Sequence, residues 1–218
     1  MLRFSTSGLE PYRDPAYFRE ALFRLPWPEK RERIVRYRQE DDRLRGLAAW
    51  TLAAEMLRAE GVRDLHLEHT QAGKPYLRYY TDLHFNLSHS GETVLCALSS
   101  APVGCDVQTL GPARPELAAR FFHLAEREYL ASLAEKEAAE AFTRLWTLKE
   151  SYLKAGGEGL SRPLGSFRIE LRAHPPQLLE TPDAERWRLL SFVEGDCACA
   201  LCCAAEAEAR LRRVALRV

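Results

Sequence analysis

Helical and strand-like segments recur in a similar order in the two halves of this 218-residue chain. Each half combines apolar stripes at helical spacing with several short runs in which apolar and polar residues alternate. Ser99-Ser-Ala-Pro102 interrupts the chain near its midpoint. Because such alternation is typical of half-buried antiparallel strands, we predict an α+β fold. Two similar subdomains, residues 1–102 and 103–218, would each pack a small antiparallel sheet on helices.

The N-terminal half contains one long helical stripe, which ends before Gly61. Its apolar residues recur every three or four positions, and glycine is a common helix stop. A shorter helix precedes it and ends at Pro26. The pattern predicts helices over 12–24 and 40–58, and strands over 64–68, 83–87 and 93–98. It also predicts a turn into a strand over 72–77, and a polar turn over 88–91 that makes the strands on either side a hairpin.

The C-terminal half begins with a short apolar run that contains Asp106. A later helix carries Trp146, Glu150 and Lys154 one turn apart on one stripe, and glycines end it. The pattern predicts helices over 115–134 and 138–155, and strands over 103–108, 166–172, 186–193, 197–205 and 209–218.

Composition excludes several classes of protein. The formal net charge is zero, which removes a global electrostatic argument for binding nucleic acid or a membrane surface. The first residues lack the apolar region of a signal peptide, so a cytoplasmic protein is expected. Four of the six cysteines lie in the run Cys197–Cys203. Since they read as part of one apolar strand, we interpret them as small buried thiols.

Residues 29–38 are strongly basic. Two interpretations are open at this stage, a solvated helix face and an anion site, because both place several cations on neighbouring turns.

Charged residues in otherwise apolar segments indicate phosphate chemistry. Asp106 on a strand and Glu150 on a helix offer the carboxylate oxygens that Mg²⁺ prefers, and Lys154 is suited to neutralise a leaving phosphate. Residues suited to hold phosphates are Lys30, Arg33, Arg45, Lys74, Ser88 and His89. No Walker A loop and no dinucleotide-binding glycine motif is present. The residues alone leave open metal-assisted phosphate transfer and a generic α+β binding domain.

Four blocks in order resemble the Sfp-type 4′-phosphopantetheinyl transferases. They are Gly73-Lys-Pro75, Phe85-Asn-Leu-Ser-His-Ser90, Gly104-Cys-Asp-Val-Gln108, and Trp146-Thr-Leu-Lys-Glu-Ser-Tyr-Leu-Lys154 with Gly159-Leu160. The resemblance implies a pseudo-two-fold monomer with its active site between two subdomains. It also implies transfer of the phosphopantetheine arm of coenzyme A to a serine of an apo acyl or peptidyl carrier protein, with release of adenosine 3′,5′-bisphosphate. Neither nucleic acid nor a membrane is expected as a partner.

The resemblance also implies roles for single residues. Asp106 and Glu150 would bind Mg²⁺, Glu150 would take the proton of the carrier serine directly or through water, and Lys154 would stabilise the leaving phosphate. Trp146 would position Glu150, with simple core filling as the alternative. The coenzyme A contacts would be Lys30, Arg33 and Arg45 at the 3′-phosphate, Ser88 and His89 at phosphate, and Lys74 and Pro75 at the adenine.

Gln108 departs from the family pattern, which has glutamate at this place in the block. An amide oxygen is still a metal ligand but brings no charge, so we expect a site with two carboxylates. Glu126 is a candidate reserve carboxylate, and Lys149 is either an active-site cation or a structural ion-pair partner. The alternative function is a non-catalytic coenzyme A or carrier-protein binding module that retains the fold.

Overall fold

The computed structural model describes residues 1–157 and 162–213. Gly159-Leu160 of the fourth block and residues 214–218 of the last predicted strand lie outside the described residues. The helices are α1 Pro15–Arg24, α2 Pro28–Val35, α3 Glu40–Ala59, α4 Pro115–Phe121, α5 Leu124–Ala131 and α6 Glu135–Gly156. The strands are β1 Leu2–Gly8, β2 Leu67–His69, β3 Pro75–Leu77, β4 His84–Ser90, β5 Thr93–Ser99, β6 Val103–Thr109, β7 Arg168–Glu170, β8 Gln177–Leu179, β9 Trp187–Glu194, β10 Cys197–Ala204 and β11 Leu211–Arg213.

The first sheet has the strand order β11-β1-β5-β4. β5 pairs antiparallel with both β1 and β4, while β11 pairs in parallel with β1. Helix α3 packs on this sheet because its apolar stripe, which includes Leu47, Leu52 and Leu57, is buried against the sheet's apolar face. Strand β11 thus pairs with the first sheet, a contact that a division at residue 102 does not anticipate.

The second sheet has the antiparallel order β6-β10-β9. Every residue of β10 is buried, since helix α6 covers one face and the first sheet lies beyond the other. The six cysteines are free and buried, as the apolar strand pattern predicts. These two small sheets, antiparallel except for the β11–β1 pair and each packed against a long helix, confirm the predicted α+β class.

The two sheets meet side by side where β4 lies against β6. β4 has its backbone ladder with β5, and β6 has its ladder with β10. Between them, alternate side chains of β4 accept hydrogen bonds from alternate backbone N–H groups of β6. We call this contact the β4–β6 seam; its pairs are Asn86 with Cys105, Ser88 with Val107, and Ser90 with Thr109.

Some elements differ from the sequence-based expectation. The predicted helix over 115–134 is two helices, because His123 begins α5 with a capping box in which the Glu126 carboxylate accepts from the His123 N–H. Strand β1 and strand β8 were not predicted at all. The strand expected at 64–68 begins only at Leu67. The polar turn expected to begin at Ser88 is wrong for Ser88–Ser90, which continue strand β4 in its pairing with β5. Within the described ranges, no helix combines the length and apolar character needed to cross a lipid bilayer.

Candidate active site

A cavity of about 560 Å³ lies where the two sheets meet. Most of the predicted site residues line it, namely Lys30, Arg33, Pro75, Ser88, His89, Asp106, Gln108, Trp146, Glu150 and Lys154. Segments from both halves of the chain therefore form its walls, with α2, α3 and β4 on one side and β6 and α6 on the other. We call the part of the wall that carries Lys30 and Arg33 on α2 the cationic end, and the part that carries Asp106 on β6 with Glu150 and Lys154 on α6 the carboxylate end.

Asp106 is 2% exposed and forms the centre of the carboxylate end. Its Oδ1 accepts from Lys154 Nζ at 2.7 Å and from the Ser88 hydroxyl at 2.7 Å. Its Oδ2 accepts from Gln108 Nε2 at 3.3 Å. Lys154 also donates to the Cys105 carbonyl and to Ser88 Oγ. Helix α6 and strand β6 are thus joined by an ion pair whose carboxylate is buried and whose ammonium is 30% exposed.

The electrostatics of this end favour a cation between the carboxylates. Burial, and then the negative charge of Asp106, raise the pKa of Glu150 against the opposing effect of Lys154. Burial alone would lower the pKa of Lys154, but Asp106, Cys105 and Glu150 outweigh it and raise the pKa. Lys154 is therefore protonated at neutral pH. Its ammonium group pairs with Asp106 and is also attracted by the negative charge of Glu150.

The donor set fits a hard divalent ion. Asp106, Glu150 and the amide of Gln108 line the same cavity and offer oxygen ligands of the kind that Mg²⁺ takes. In the part of the chain that the structure describes, no group of three histidine, cysteine or acidic side chains gathers at one point. Among the described residues, the acidic side chains that line this cavity are Asp106 and Glu150. A metal site made of these two carboxylates and the Gln108 amide stays a prediction.

The cationic end contains an unusually placed lysine. Lys30 is buried beneath the ring of Trp50, whose centroid lies 4.5 Å from Nζ, and Nζ lies 3.1 Å from His69 Nε2. Burial, assisted by nearby Arg33, lowers the pKa of Lys30 against the effect of Glu29. Among the described residues, no carboxylate lies within ion-pair distance of this ammonium group. A buried cation without such a partner is a favourable place for an anion.

Two predicted coenzyme A contacts do not reach the cavity. Lys74 Nζ instead donates to the carbonyls of Val103 at 2.8 Å and Lys154 at 2.6 Å, so it binds the end of α6 to β6. Burial lowers the pKa of Lys74 to about 8. Arg45 donates to the Gly91 carbonyl and to Asp42.

His89 lies at the mouth of the cavity and keeps part of its ring in solvent. Its removal from water, and then the positive charges of Arg45 and Lys154, lower its pKa. The imidazole is therefore neutral near pH 7 and has one N–H to donate. Arg45 does not line the cavity, but its positive charge lowers the pKa of His89, which does.

Trp146 packs in an aromatic cluster and also lines the cavity, while its predicted positioning of Glu150 stays a prediction. Its ring packs against Phe121, Phe122 and Phe142 at centroid distances of 6.0 to 6.2 Å. It also lines the cavity one helical turn before Glu150. The aromatic cluster therefore fixes the indole in the wall of the cavity.

Lys149 and Glu126 lie away from the cavity and form a buried ion pair. Their side chains are 0% and 1% exposed, with Nζ 2.8 Å from Oε1. Lys149 also donates to the carbonyls of Leu164 and Phe167. Glu126 is fully engaged here and does not serve the cavity as a reserve carboxylate. Of the two interpretations of Lys149, the structure shows the structural ion pair.

Sequence reasoning missed His69, Trp50 and Asn86, all of which line the cavity. Nothing in the local sequence identifies His69 as a site residue, because its part in the site is its contact with the side chain of Lys30. Asn86 carried a visible signal, since it alternates with Phe85 and Leu87 along β4 as an inward polar residue.

Two family models match the chain. Residues 102–202 match the model described as the 4′-phosphopantetheinyl transferase superfamily. Residues 14–101 match the model described as 4′-phosphopantetheinyl transferase, N-terminal.

Curated relatives cover most of the chain. The 4′-phosphopantetheinyl transferase Sfp of Bacillus subtilis (strain 168) is 36% identical over 160 residues, which are 72% of this chain and 71% of the relative. Another 4′-phosphopantetheinyl transferase of Bacillus subtilis is 35% identical over 163 residues, 71% of this chain and 70% of the relative. A solved holo-[acyl-carrier-protein] synthase from Thermotoga maritima is 20% identical and covers 48% of this chain and 62% of its own, with a TM-score of 0.41.

Proposed function

The chain belongs to the 4′-phosphopantetheinyl transferase superfamily, and we propose that it transfers the phosphopantetheine arm of coenzyme A to a serine of an apo carrier protein. Adenosine 3′,5′-bisphosphate is the other product. One observation supports this beyond the family: a single cavity is lined both by Lys30, a buried lysine with no carboxylate partner among the described residues, and by two carboxylates with a second lysine. Such a site suits an elongated substrate with a phosphate at one end and a pyrophosphate in its middle.

The cationic end is suited to the 3′-phosphate of coenzyme A. Lys30 is buried with no carboxylate partner among the described residues, and Arg33 lies on the next turn of α2 in the same wall. A phosphate would supply the missing counter-charge. Neutral His89 would donate one further hydrogen bond, while Pro75 would flank the adenine. Lys74 and Arg45 would first have to release their present partners, so we assign them supporting roles.

The carboxylate end is suited to Mg²⁺, held by Asp106 and Glu150 with the Gln108 amide as a third oxygen donor. Burial, and then the negative charge of Asp106, raise the pKa of Glu150, so the ionised Glu150 carboxylate is disfavoured in the metal-free site. Bound Mg²⁺ would remove that cost and offset the negative charge of the pyrophosphate oxygens.

The protein's own groups supply the remaining chemistry. The hydroxyl oxygen of the carrier serine attacks the phosphorus that carries pantetheine. Glu150 accepts the proton of that hydroxyl, directly or through one water. The bond from that phosphorus to the bridging oxygen breaks, and the electron pair leaves with adenosine 3′,5′-bisphosphate. The Lys154 ammonium neutralises charge on the leaving phosphate. Trp146, fixed by its aromatic cluster, keeps Glu150 facing the cavity.

The second candidate is a binding module without catalysis, and Gln108 is the observation that favours it. Incubation with coenzyme A, Mg²⁺ and apo carrier proteins of fatty-acid, polyketide and peptide type distinguishes the two. We expect the mass of at least one carrier to increase by one phosphopantetheine arm. Tight coenzyme A binding with no mass increase on any carrier would establish the binding module. We also propose that the protein acts as a cytoplasmic monomer, which size-exclusion chromatography with light scattering would test.

A further inference from the structure

A histidine contacts the buried lysine at the cationic end of the cavity. Lys30 is 6% exposed, and its Nζ lies 3.1 Å from Nε2 of His69, the last residue of β2. Because an ammonium group donates hydrogen bonds and accepts none, Nε2 is the acceptor of this bond. The His69 ring is therefore neutral in the ligand-free site. His69 itself is exposed at the edge of the cavity, so its ring can exchange protons with solvent.

The charges that act on His69 come from α2. Burial, and then the positive charge of Lys30, lower the pKa of His69, while Glu29 raises it and Arg33 adds to the lowering. The other elements beside this end of the cavity present side chains that are uncharged in their ordinary states, namely Tyr37, Trp50 and Pro75. A proton on His69 is thus opposed mainly by its two cationic neighbours, and a bound anion would reverse that opposition.

The fixed charges of this wall do not balance a phosphate dianion. Lys30 and Arg33 are both cationic, and Glu29 on the same helix offsets part of their charge. A phosphomonoester carries about 1.5 to 2 negative charges at neutral pH, because its second pKa is about 6. Positive charge is therefore lacking when such a group binds here. A protonated imidazole in contact with Lys30 would supply it.

We propose that His69 is a specificity-determining residue that takes up one proton from solvent when a phosphomonoester binds beside Lys30, and then donates a hydrogen bond to that group. The proposal rests on the proposed function, in which the group is the 3′-phosphate of coenzyme A. Nε2 changes from acceptor to donor in this step, so its bond with Lys30 breaks. The ammonium and the imidazolium then both donate to phosphate oxygens.

Proton uptake makes recognition of the phosphate depend on pH. A bound dianion raises the pKa of His69, so affinity is greatest below that raised pKa and falls as the pH rises through it. Dephospho-coenzyme A has a hydroxyl in place of the 3′-phosphate and gains nothing from the proton. The site should therefore discriminate between the two ligands most strongly on the acidic side of neutral pH.

The test measures binding without catalysis. Calorimetry in EDTA gives the affinities for coenzyme A and dephospho-coenzyme A between about pH 6.5 and about pH 8, where the phosphate is mostly a dianion. Repeating the titrations in buffers of different ionisation enthalpy gives the number of protons taken up. The variants are His69→Gln, which cannot be protonated, and His69→Arg, which is always charged. His66→Gln is the matched control, because His66 is exposed just before the same strand and does not line the cavity.

For the wild type we expect uptake of about half a proton or more on binding coenzyme A near neutral pH, and less with dephospho-coenzyme A. His69→Gln should lose the difference in uptake and bind coenzyme A about tenfold more weakly at about pH 6.5. Its affinity for dephospho-coenzyme A should stay within about twofold. The loss should shrink towards about pH 8. His69→Arg should keep the preference for coenzyme A without proton uptake, and His66→Gln should match the wild type.

Equal proton uptake by the wild type and His69→Gln would overturn the proposal. An equal loss of affinity for both ligands in His69→Gln would also overturn it, because His69 would then support the cavity wall without recognising the phosphate. Thermal unfolding of each variant reports on the fold. Carrier loading decides the proposed function separately: a wild type that loads no carrier but takes up the proton with coenzyme A would refute the transferase and leave the role of His69 intact.

Discussion

Gly104 of β6 lies in direct contact with the backbone of α6 at Ser151. A Cβ atom built on Gly104 would stand 2.0 Å from the Ser151 carbonyl oxygen and 2.4 Å from the Ala155 nitrogen. Only a residue without a side chain allows strand and helix to approach so closely. Since Asp106 lies two residues further along β6, and Glu150 and Lys154 lie on the facing turns of α6, this contact sets the separation of the reacting groups.

Replacing Gly104 by alanine should therefore separate β6 from α6. We expect Gly104→Ala to lose about 3 kcal/mol of stability and to lower kcat/KM by about 100-fold, because the atoms in the way are backbone atoms that cannot rotate aside. Gly111→Ala is the matched control, since nothing lies within 4 Å of a Cβ at Gly111. Denaturant unfolding and steady-state kinetics measure both effects. Near-wild-type activity of Gly104→Ala would refute this reading of the contact.

Gln108→Glu should give the metal site a third carboxylate. Gln108 Nε2 donates to Asp106 Oδ2, so a glutamate in its place would set a negative charge beside Asp106. We expect tighter Mg²⁺ binding and a less stable metal-free protein, because the like charges repel until a cation is bound. A titration of transferase activity with Mg²⁺ measures the first effect. A variant that binds Mg²⁺ no better would show that residue 108 is not at the metal.

Glu150→Gln should stabilise the metal-free protein. The pKa of Glu150 is raised above its ordinary value of 4.5 by burial and then by Asp106. A group with a raised folded-state pKa contributes stability below its unfolded pKa, and loses it as the pH rises through the folded pKa. In EDTA at about pH 7.5 we therefore expect the variant to melt higher by about 2–4 °C. The difference should shrink towards about pH 4.

The measurement is thermal unfolding across this pH range, with catalytic activity as the companion readout. Transferase activity should be lost while thermal stability rises, which separates a functional carboxylate from a structural one. If the metal-free variant melts lower than wild type at neutral pH, Glu150 is not under the electrostatic strain that we describe.

Glu126→Gln should destabilise the fold without any direct effect on the cavity. It would leave the Lys149 ammonium, which is 0% exposed, without its counter-charge. We expect a loss of about 3 kcal/mol, whereas Glu32→Gln, which breaks the exposed pair with Arg36, should change stability little. The double variant Glu126→Gln with Lys149→Met should be more stable than Glu126→Gln alone. Denaturant unfolding decides, and equal stability of Glu126→Gln and Glu32→Gln would contradict the prediction.

Local patterns predicted the elements that bury one face. The stripe of α3, the run of β10 and the glycine that ends α6 are all visible in the sequence, because periodicity and helix-stop chemistry act over a few residues. β1 was missed since its strand character depends on pairing with β5, about 90 residues away. The division of 115–134 at His123 depended on a capping box that uses a histidine, which is an unusual N-cap residue.

The sequence predicted most of the charged residues that line the cavity, but not the groups to which their side chains bond. Asp106, Glu150 and Lys154 were predicted as site residues because they are charged residues in apolar segments, where a charge is costly unless it is paired or binds a ligand. Within the basic run over 29–38, Arg36 is exposed as on a solvated helix face, whereas Lys30 is buried in the cavity wall, where the anion site stays a prediction. The turn at Gly73 has the positive φ of 81° suited to glycine. The direction of the Lys74 side chain, however, depends on carbonyls at the end of α6, which no local pattern reveals.

The central claim is that Asp106 of β6, whose carboxylate accepts hydrogen bonds from Lys154 and Ser88, is the metal carboxylate of a phosphopantetheinyl transferase. Its most direct test is the mass of an apo carrier protein incubated with coenzyme A and either wild type or Asp106→Asn. The wild type should load one phosphopantetheine arm with Mg²⁺, stop in EDTA, and resume when Mg²⁺ is restored. Asp106→Asn should still bind coenzyme A in EDTA but load no carrier. Loading by Asp106→Asn at the wild-type rate, or undiminished wild-type loading in EDTA, would contradict the account.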